Sequence, residues 1–176
     1  MLPLGTPAPA FSLPDVVSGH NVALADLPAD QPLLVMFLSR HCPFVVHVQA
    51  ELARIGRDYT GRVALVAIGP NDATAYPADA PAGLRQQALE QGFVFPYCHD
   101  ETQAVARAYG AACTPDFFLF APDRRLAYRG QLDDSRPSNG VPVTGRDLRA
   151  ALDALLDRRP VNSVQRPSLG CSIKWK

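Results

Sequence analysis

Six consecutive apolar residues, Leu33 to Leu38, constrain the fold of this chain more than any other feature. A run of this length without polar alternation is typical of a β-strand that is buried on both faces of a sheet. The short loop 39–42 follows, and Pro43 then opens a segment whose apolar residues recur every three or four positions, as in an amphipathic helix. A second apolar run at 63–68 predicts the next strand. This order predicts a parallel βαβ unit with the loop 39–42 at the junction of strand and helix.

Weaker patterns predict further elements around this unit. Residues 11–13 alternate between apolar and polar, and with residues 21–24 they predict an N-terminal β-hairpin. The long connection after the βαβ unit is expected to hold a helix at 84–91 and a short strand at 93–95.

The last third of the chain predicts a helix, a hairpin and a final helix. Asp100 and Gln103 form a pattern similar to a capping box, which marks the start of a helix. Residues 117–120 and 126–129 predict an antiparallel hairpin. The final helix is expected to begin at 144–147.

These elements together predict an α/β protein with a thioredoxin-like fold, in a single domain over residues 1–176. A βαβ unit followed by helix, hairpin and helix is the order of that fold. The central mixed sheet is expected to be flanked by helices, with the N-terminal β-hairpin as an extension and residues 70–98 as an insertion in the middle. A C-terminal tail is expected from about residue 160.

The composition narrows the classes of function. The 17 basic and 17 acidic side chains balance, so neither nucleic acid nor an anionic membrane is an expected partner. Residues 1–5 show neither the basic nor the apolar region of a secretory signal, and no apolar stretch approaches the ~20 residues of a membrane span. We therefore expect a cytoplasmic protein, in which the four cysteines are thiols or transient catalytic disulfides.

Cys42 is the candidate reactive thiol, because it ends the loop between the buried strand and the proline-started helix. The N-terminus of a helix carries partial positive charge and unpaired N–H groups, which stabilise a thiolate and lower its pKa. Arg40 and His41 add donors or positive charge beside it. The alternative is a structural cysteine at the end of a strand, since free cysteines are often buried. The local electrostatics favour the reactive thiol.

Cys113, Thr114 and Pro115 form the second candidate element. Thr-Pro directly before an apolar strand suits a cis peptide bond, which occurs almost only before proline. In a thioredoxin fold, this loop packs against the helix start that carries the reactive cysteine. The alternative is an ordinary trans proline at the start of a strand.

At these residues the chain resembles the alkyl hydroperoxide reductase and thiol-specific antioxidant family, a peroxiredoxin-like branch of the thioredoxin-like superfamily. The similarity is greatest to a subgroup of bacterial proteins, and it extends over nearly the whole chain. The segments that carry it are residues 5–13, 41–45, 100–103 and 109–118, and the tail from Gly170 to Lys176.

The resemblance implies an antioxidant redox enzyme in which Cys42 stands at the peroxidatic position. Ser39 stands where the family has a Thr or Ser that binds peroxide, and where the subgroup has the first cysteine of a C-x-x-C motif. Two family residues are missing. Val35 replaces a proline, and Pro115 stands in place of the arginine that activates the thiolate and the peroxide. Arg40 is the candidate substitute for that arginine.

Two redox mechanisms follow from these residues. In the first, Cys42 attacks a peroxide that Ser39 orients, and a second thiol resolves the resulting sulfenic acid. Cys113 is the preferred resolving thiol, because the cis-proline loop should bring it near Cys42. Cys171, on a tail expected to be mobile, is the second choice, with a purely packing role as its alternative. In the second mechanism, Cys42 exchanges with the disulfides of proteins or small thiols.

A binding module without turnover is the third interpretation, with Cys42 and His41, His47 or His99 as metal ligands. No ligand pair has the tight spacing of a zinc finger, so neither a metal nor another cofactor is expected. Cys98 is expected to be a bystander. The expected partners are a peroxide or disulfide substrate and a thioredoxin-like or small-thiol reductant. Relatives are often dimers, so the resemblance also implies a homodimer as a state to test.

Overall fold

A computed structural model of the protein describes residues 2–176. Its strands are β1 (Ser12–Pro14), β2 (Asn21–Ala23), β3 (Leu33–Phe37), β4 (Ala64–Gly69), β5 (Tyr97–His99), β6 (Cys113–Thr114), β7 (Asp116–Phe120), β8 (Leu126–Gly130) and β9 (Cys171–Ser172). Its α-helices are α1 (Pro43–Tyr59), α2 (Pro81–Gln91), α3 (Ala104–Tyr109) and α4 (Arg146–Leu156). Within these described residues, none of the helices has the length and apolar character needed to cross a membrane.

A mixed sheet of five strands, in the order β5-β4-β3-β7-β8, forms the centre of the molecule. β3 pairs in parallel with β4, and α1 connects them, so the predicted βαβ unit is confirmed. On its other edge β3 pairs antiparallel with β7, and β7 and β8 form the predicted hairpin. The thioredoxin-like α/β fold predicted from the order of elements is therefore confirmed.

The apolar run in β3 is uninterrupted because the sheet is covered on both faces. Leu34 and Met36 belong to the core on the side of α1, α2 and α4. Leu33, Val35 and Phe37 belong to the core on the side of α3 and the β1–β2 hairpin. All five side chains are fully buried, and each stabilises the fold by about 1.5–3 kcal/mol relative to an exposed position. One strand thus contributes to two cores.

The N-terminal hairpin and the insertion are present, but one predicted strand is wrong. β1 pairs antiparallel with β2, and α2 contains the predicted helix at 84–91. Residues 93–95 form no strand, and the pairing with β4 is made by β5 instead. The apolar residues at 93–95 have another role: the rings of Phe93 and Phe95 stack with centroids 4.8 Å apart and pack on the core beside α1.

The start of α3 also differs from its prediction. Asp100 does bind the first turn of the helix, since its Oδ2 accepts a hydrogen bond from the N–H of Ala106 at 2.8 Å. Gln103 precedes the helix with a φ of 63°, and its side chain reaches the C-terminal tail. Gln103 is therefore the N-cap residue of α3, but its side chain makes no capping hydrogen bond.

The C-terminal tail is an ordered part of the fold. β9 pairs antiparallel with β6, which lies directly before the sheet strand β7. Ile173 is buried in the core on the α3 side. The expectation of a mobile tail is wrong, because backbone pairing and apolar burial both fix this segment.

Candidate active site

Cys42 occupies the strand-to-helix junction predicted from the sequence. It caps α1 with an extended backbone, and its carbonyl accepts hydrogen bonds from the N–H groups of Val45 and Val46, each at 3.0 Å. The helix begins here because Pro43 has no N–H to lose and its φ suits a first helical turn. The Cys42 side chain is fully buried. Its thiol therefore lies at the positive end of a 17-residue helix.

The loop before β7 lies against this thiol. The predicted cis peptide bond between Thr114 and Pro115 is confirmed, and the Cys42 Sγ donates to the carbonyl oxygen of Thr114 at 3.1 Å. Within residues 2–176, the buried hydroxyl of Thr114 has no hydrogen-bond partner. The Thr114 side chain is nevertheless one of the groups that lower the pKa of Cys42. Thr114 thus supports the thiol through its carbonyl and the thiolate through its hydroxyl.

Cys171 reaches the same thiol from the tail. In the pairing of β6 with β9, Cys171 stands opposite Thr114. The Sγ atoms of Cys42 and Cys171 are 2.8 Å apart, and both residues are free thiols. Gly170 permits this approach, because a Cβ at that position would lie 2.1 Å from the carbonyl oxygen of Thr114. Strand register therefore brings together two cysteines that are 129 positions apart.

The pKa values of the two thiols in this pair are shifted in opposite directions. Burial raises the pKa of Cys42, but hydrogen bonds from Cys171, Thr114 and the backbone N–H of Val45 outweigh it, so the pKa lies below its ordinary value. Burial and the hydrogen bond to Cys42 raise the pKa of Cys171 to about 11. Cys42 is therefore the more acidic thiol of the pair, and Cys171 is the thiol that keeps its proton to higher pH.

The other two cysteines make different contacts. The Cys113 thiol donates to the carbonyl of Pro115 at 3.6 Å, and burial raises the pKa of Cys113 to about 12. Cys98 is fully buried in β5, where burial raises its pKa to about 12. Cys171, the second choice of resolving thiol, is the one whose sulfur contacts Cys42, and Cys113 lies close enough for the charge of Cys42 to raise its pKa further.

Ser39 and Arg40 bind a buried carboxylate. The Ser39 hydroxyl donates to Asp79 at 2.9 Å, and the backbone N–H of Arg40 donates to the same carboxylate at 2.6 Å. The guanidinium of Arg40 lies beside Gly83 of α2, with Nη1 3.5 Å from where a Cβ of that glycine would be. In the part of the chain that the structure describes, these contacts hold the loop and do not involve the sulfur of Cys42. They give no support to a role in orienting or activating peroxide.

Asp79 is the centre of this hydrogen-bond network, and it is not among the site residues predicted from the sequence. It is 1% exposed. Besides Ser39 and Arg40, it accepts hydrogen bonds from His41 Nδ1 and from Asn71 Nδ2, each at 2.7 Å. A carboxylate only accepts hydrogen bonds, so His41 Nδ1 acts as the donor in this contact. Asp79 lies 40 positions after Ser39 in a connection rich in Pro and Ala. Nothing local distinguishes it from a solvated aspartate.

The histidines considered as metal ligands are dispersed. His41 binds Asp79 and stacks on Tyr76 with ring centroids 5.2 Å apart, His47 lies on α1, and His99 is buried in β5. Between residues 2 and 176, no three His, Cys, Asp or Glu side chains are grouped to hold a metal ion. The described site consists of a thiol pair, a helix start and a cis-proline loop.

A thiol pair at the start of a helix, faced by a cis-proline loop on a mixed five-stranded sheet, defines a thiol redox protein of the thioredoxin-like superfamily. The chain belongs to the AhpC/TSA family, which matches residues 4–129. The matched span includes Cys42 and the cis-proline loop but not the tail with Cys171. The resemblance stated from the sequence is confirmed.

Solved structures share this architecture. An uncharacterized conserved protein from Geobacillus kaustophilus is 56% identical with a TM-score of 0.97, and the match covers 100% of this chain and 94% of that one. A hypothetical protein from Sinorhizobium meliloti 1021 is 49% identical with a TM-score of 0.97, covering 100% and 96%. A secreted disulfide oxidoreductase from Mycobacterium tuberculosis, 16% identical with a TM-score of 0.64 and covering 82% and 96%, shows the fold alone. No curated protein matches the chain.

Proposed function

We propose that the protein is a thiol–disulfide oxidoreductase that cycles between two thiols and one disulfide formed by Cys42 and Cys171. The observation that carries this proposal is the 2.8 Å distance between their sulfur atoms. A disulfide bond is about 2.05 Å long, so a small side-chain adjustment is enough to form it. Cys171 then supplies the second thiol that Ser39 does not provide.

The two thiols differ in exposure and in pKa, and these differences set the order in which they react with an external thiol. Cys42 is fully buried and Cys171 is partly exposed, so an external thiolate reaches the disulfide at the sulfur of Cys171. Its attack forms a mixed disulfide on Cys171 and expels Cys42 as a thiolate. A thiol of lower pKa leaves faster, and the lowered pKa of Cys42 supports this step. A second external thiol attacks the external sulfur of the mixed disulfide and frees Cys171.

In the opposite direction the same pair reduces a disulfide. The Cys171 thiol gives up its proton as it attacks one substrate sulfur, and the other substrate sulfur leaves as a thiol. The Cys42 thiolate then attacks the sulfur of Cys171, which closes the internal disulfide and releases the second substrate thiolate. A thioredoxin-like protein or a small thiol is the proposed reductant that reopens this disulfide.

Peroxide is the second candidate oxidant, because a fully buried thiolate suits a small reactant. Attack by Cys42 on the O–O bond would give a sulfenic acid and release hydroxide or alkoxide. The Cys171 thiol would then condense with it to the disulfide, with loss of water. The contacts of Ser39 and Arg40 with Asp79 and α2 leave this route without its usual activating groups. We expect it to be slower than exchange.

Separate treatment of the reduced protein with oxidised glutathione and with hydrogen peroxide tests the proposal. Peptide mapping is expected to find a Cys42–Cys171 disulfide in both cases, formed faster with oxidised glutathione. Cys42→Ser is expected to stop at a mixed disulfide between glutathione and Cys171. Cys113→Ser is the matched control and should behave as wild type. A Cys42–Cys113 disulfide, or none, would contradict the proposal, whereas a faster reaction with peroxide would favour the peroxidase.

A further inference from the structure

Two side chains from other segments hold the tail just beyond Cys171. The N–H of Lys174 donates to Asn71 Oδ1 at 2.9 Å, and the carbonyl of Lys174 accepts from Gln103 Nε2 at 2.8 Å. Gln103 Oε1 also accepts from the N–H of Lys176 at 2.8 Å. Both backbone groups of Lys174 are therefore bound three positions after Cys171.

Asn71 joins the tail to the loop that carries Cys42. While its Oδ1 binds the tail, its Nδ2 donates to Asp79 at 2.7 Å. Asp79 in turn accepts hydrogen bonds from each of residues 39–41, directly before Cys42. One amide side chain thus contacts the segment with Cys171 and the anchor of the segment with Cys42.

Gln103 has a backbone conformation that is unfavourable for glutamine. Its φ is 63°, in the left-handed region where residues other than glycine, asparagine and aspartate are uncommon. Its side chain is buried and makes three hydrogen bonds, to the carbonyls of Pro70 and Lys174 and from the N–H of Lys176. Strained backbone persists where the surroundings compensate for it, and here the compensating contacts are largely with the tail.

We propose that Asn71 and Gln103 are positioning residues, a clamp that holds the tail so that the Cys171 thiol stays on Cys42. This inference rests on the proposed redox pair. By limiting the motion of Cys171, the clamp raises its effective concentration at Cys42 and so stabilises the disulfide. It also keeps the Cys171 thiol within hydrogen-bond distance of the Cys42 sulfur, where it stabilises the thiolate form of Cys42.

The redox equilibrium with glutathione tests the clamp. In that reaction two glutathione thiols reduce the Cys42–Cys171 disulfide and become one glutathione disulfide. Asn71→Ala and Gln103→Ala are each expected to lower the equilibrium constant for disulfide formation by about tenfold, since one hydrogen bond is worth roughly two- to tenfold and each variant loses more than one. Tenfold corresponds to about 30 mV for this two-electron couple.

Gln165→Ala is the matched control. Gln165 also ties the tail down, with Nε2 donating to the carbonyl of Ala127 and Oε1 accepting from the N–H of Arg129, but it does so upstream of Cys171. The redox equilibrium of this variant is expected to stay near that of wild type. A fall as large as that of Gln103→Ala would overturn the clamp, because any loosening of the tail would then suffice.

Gln103→Gly separates positioning from stability. Glycine relieves the strain of the positive φ while removing all three side-chain hydrogen bonds. The variant is therefore expected to unfold at a higher temperature than Gln103→Ala, yet to show the same tenfold fall in the redox equilibrium constant. A wild-type equilibrium constant in Gln103→Gly would overturn the positioning role.

Alkylation of the reduced protein tests the clamp independently of whether Cys42 and Cys171 form a disulfide. In Asn71→Ala and Gln103→Ala the pH profile of Cys42 alkylation is expected to move to higher pH, because the Cys171 donor is displaced. Unchanged profiles and redox equilibria in both variants would overturn the clamp and leave the pair intact. If the wild type forms no Cys42–Cys171 disulfide, the proposed function fails, and the alkylation profiles still decide the clamp.

Discussion

Cys171 lies opposite Thr114 in the pairing of β9 with β6, and this register brings its thiol to 2.8 Å from Cys42. The carbonyl of Thr114 contacts the same sulfur at 3.1 Å. A helix start, a cis-proline loop and a C-terminal tail therefore meet at one buried thiol. A change that moves the tail should change the chemistry of Cys42.

Gly170→Ala is expected to displace the tail, because the added Cβ would lie 2.1 Å from the carbonyl oxygen of Thr114. Overpacking of this kind costs about 1–3 kcal/mol, and urea denaturation measures the loss in the free energy of unfolding. Ser163→Ala, in an exposed part of the tail, is the control and should stay within about 0.5 kcal/mol of wild type. Wild-type stability in Gly170→Ala would show that the tail does not pack this closely on the loop.

Cys171→Ala is expected to raise the pKa of Cys42. Burial already raises this pKa, and the hydrogen bond from Cys171 is the first of the contacts that outweigh it. Without that donor, less Cys42 is thiolate at neutral pH, so its alkylation by iodoacetamide should slow there and recover at alkaline pH. Cys113→Ala is the control and should keep the wild-type profile. If the two profiles coincide, Cys171 does not stabilise the thiolate.

Local sequence patterns were sufficient to predict the position of Cys42 between β3 and α1 and the cis peptide bond before Pro115. The apolar run 33–38 has no polar face, so it requires cover on both sides of the sheet, and Pro43 suits only the first turn of the helix that follows. The cis bond before Pro115 is tied to a threonine and an apolar strand next to it in the chain. Each of these features is decided by residues close in sequence.

The partners of Cys42 could not be predicted in this way. Cys171 is 129 positions from Cys42, and its place depends on the register between β6 and β9. The position of Asp79 depends on the path of a long insertion, which returns to the loop at Ser39. Gln103 fits a capping pattern, but its side chain binds the backbone of the tail instead. Long-range contacts decided all three, and no short pattern encodes them.

Asp133→Asn is expected to make stability less sensitive to acid. Burial raises the pKa of Asp133, but hydrogen bonds from Ser135 and from the N–H groups of Gly145 and Thr144 outweigh it and hold the pKa below its ordinary value of 3.8. A carboxylate with a lowered pKa in the fold stabilises it fully above the ordinary pKa, and this contribution is lost as pH falls through 3.8 towards the folded-state value. Urea denaturation below about pH 4 should therefore show a steeper loss for wild type. Asp30→Asn, at an exposed position, should keep the wild-type slope.

Asp79→Ala is expected to lower the free energy of unfolding by about 3 kcal/mol, because buried donors lose their acceptor. It should also slow formation of the Cys42–Cys171 disulfide, since residues 39–41 are fixed before Cys42 through this carboxylate. Urea denaturation measures the first effect, and peptide mapping at timed intervals after oxidation measures the second. Asp30→Ala removes an exposed carboxylate and should match wild type in both. A destabilised Asp79→Ala that still forms the disulfide at the wild-type rate would show that the carboxylate supports the fold without positioning the thiol.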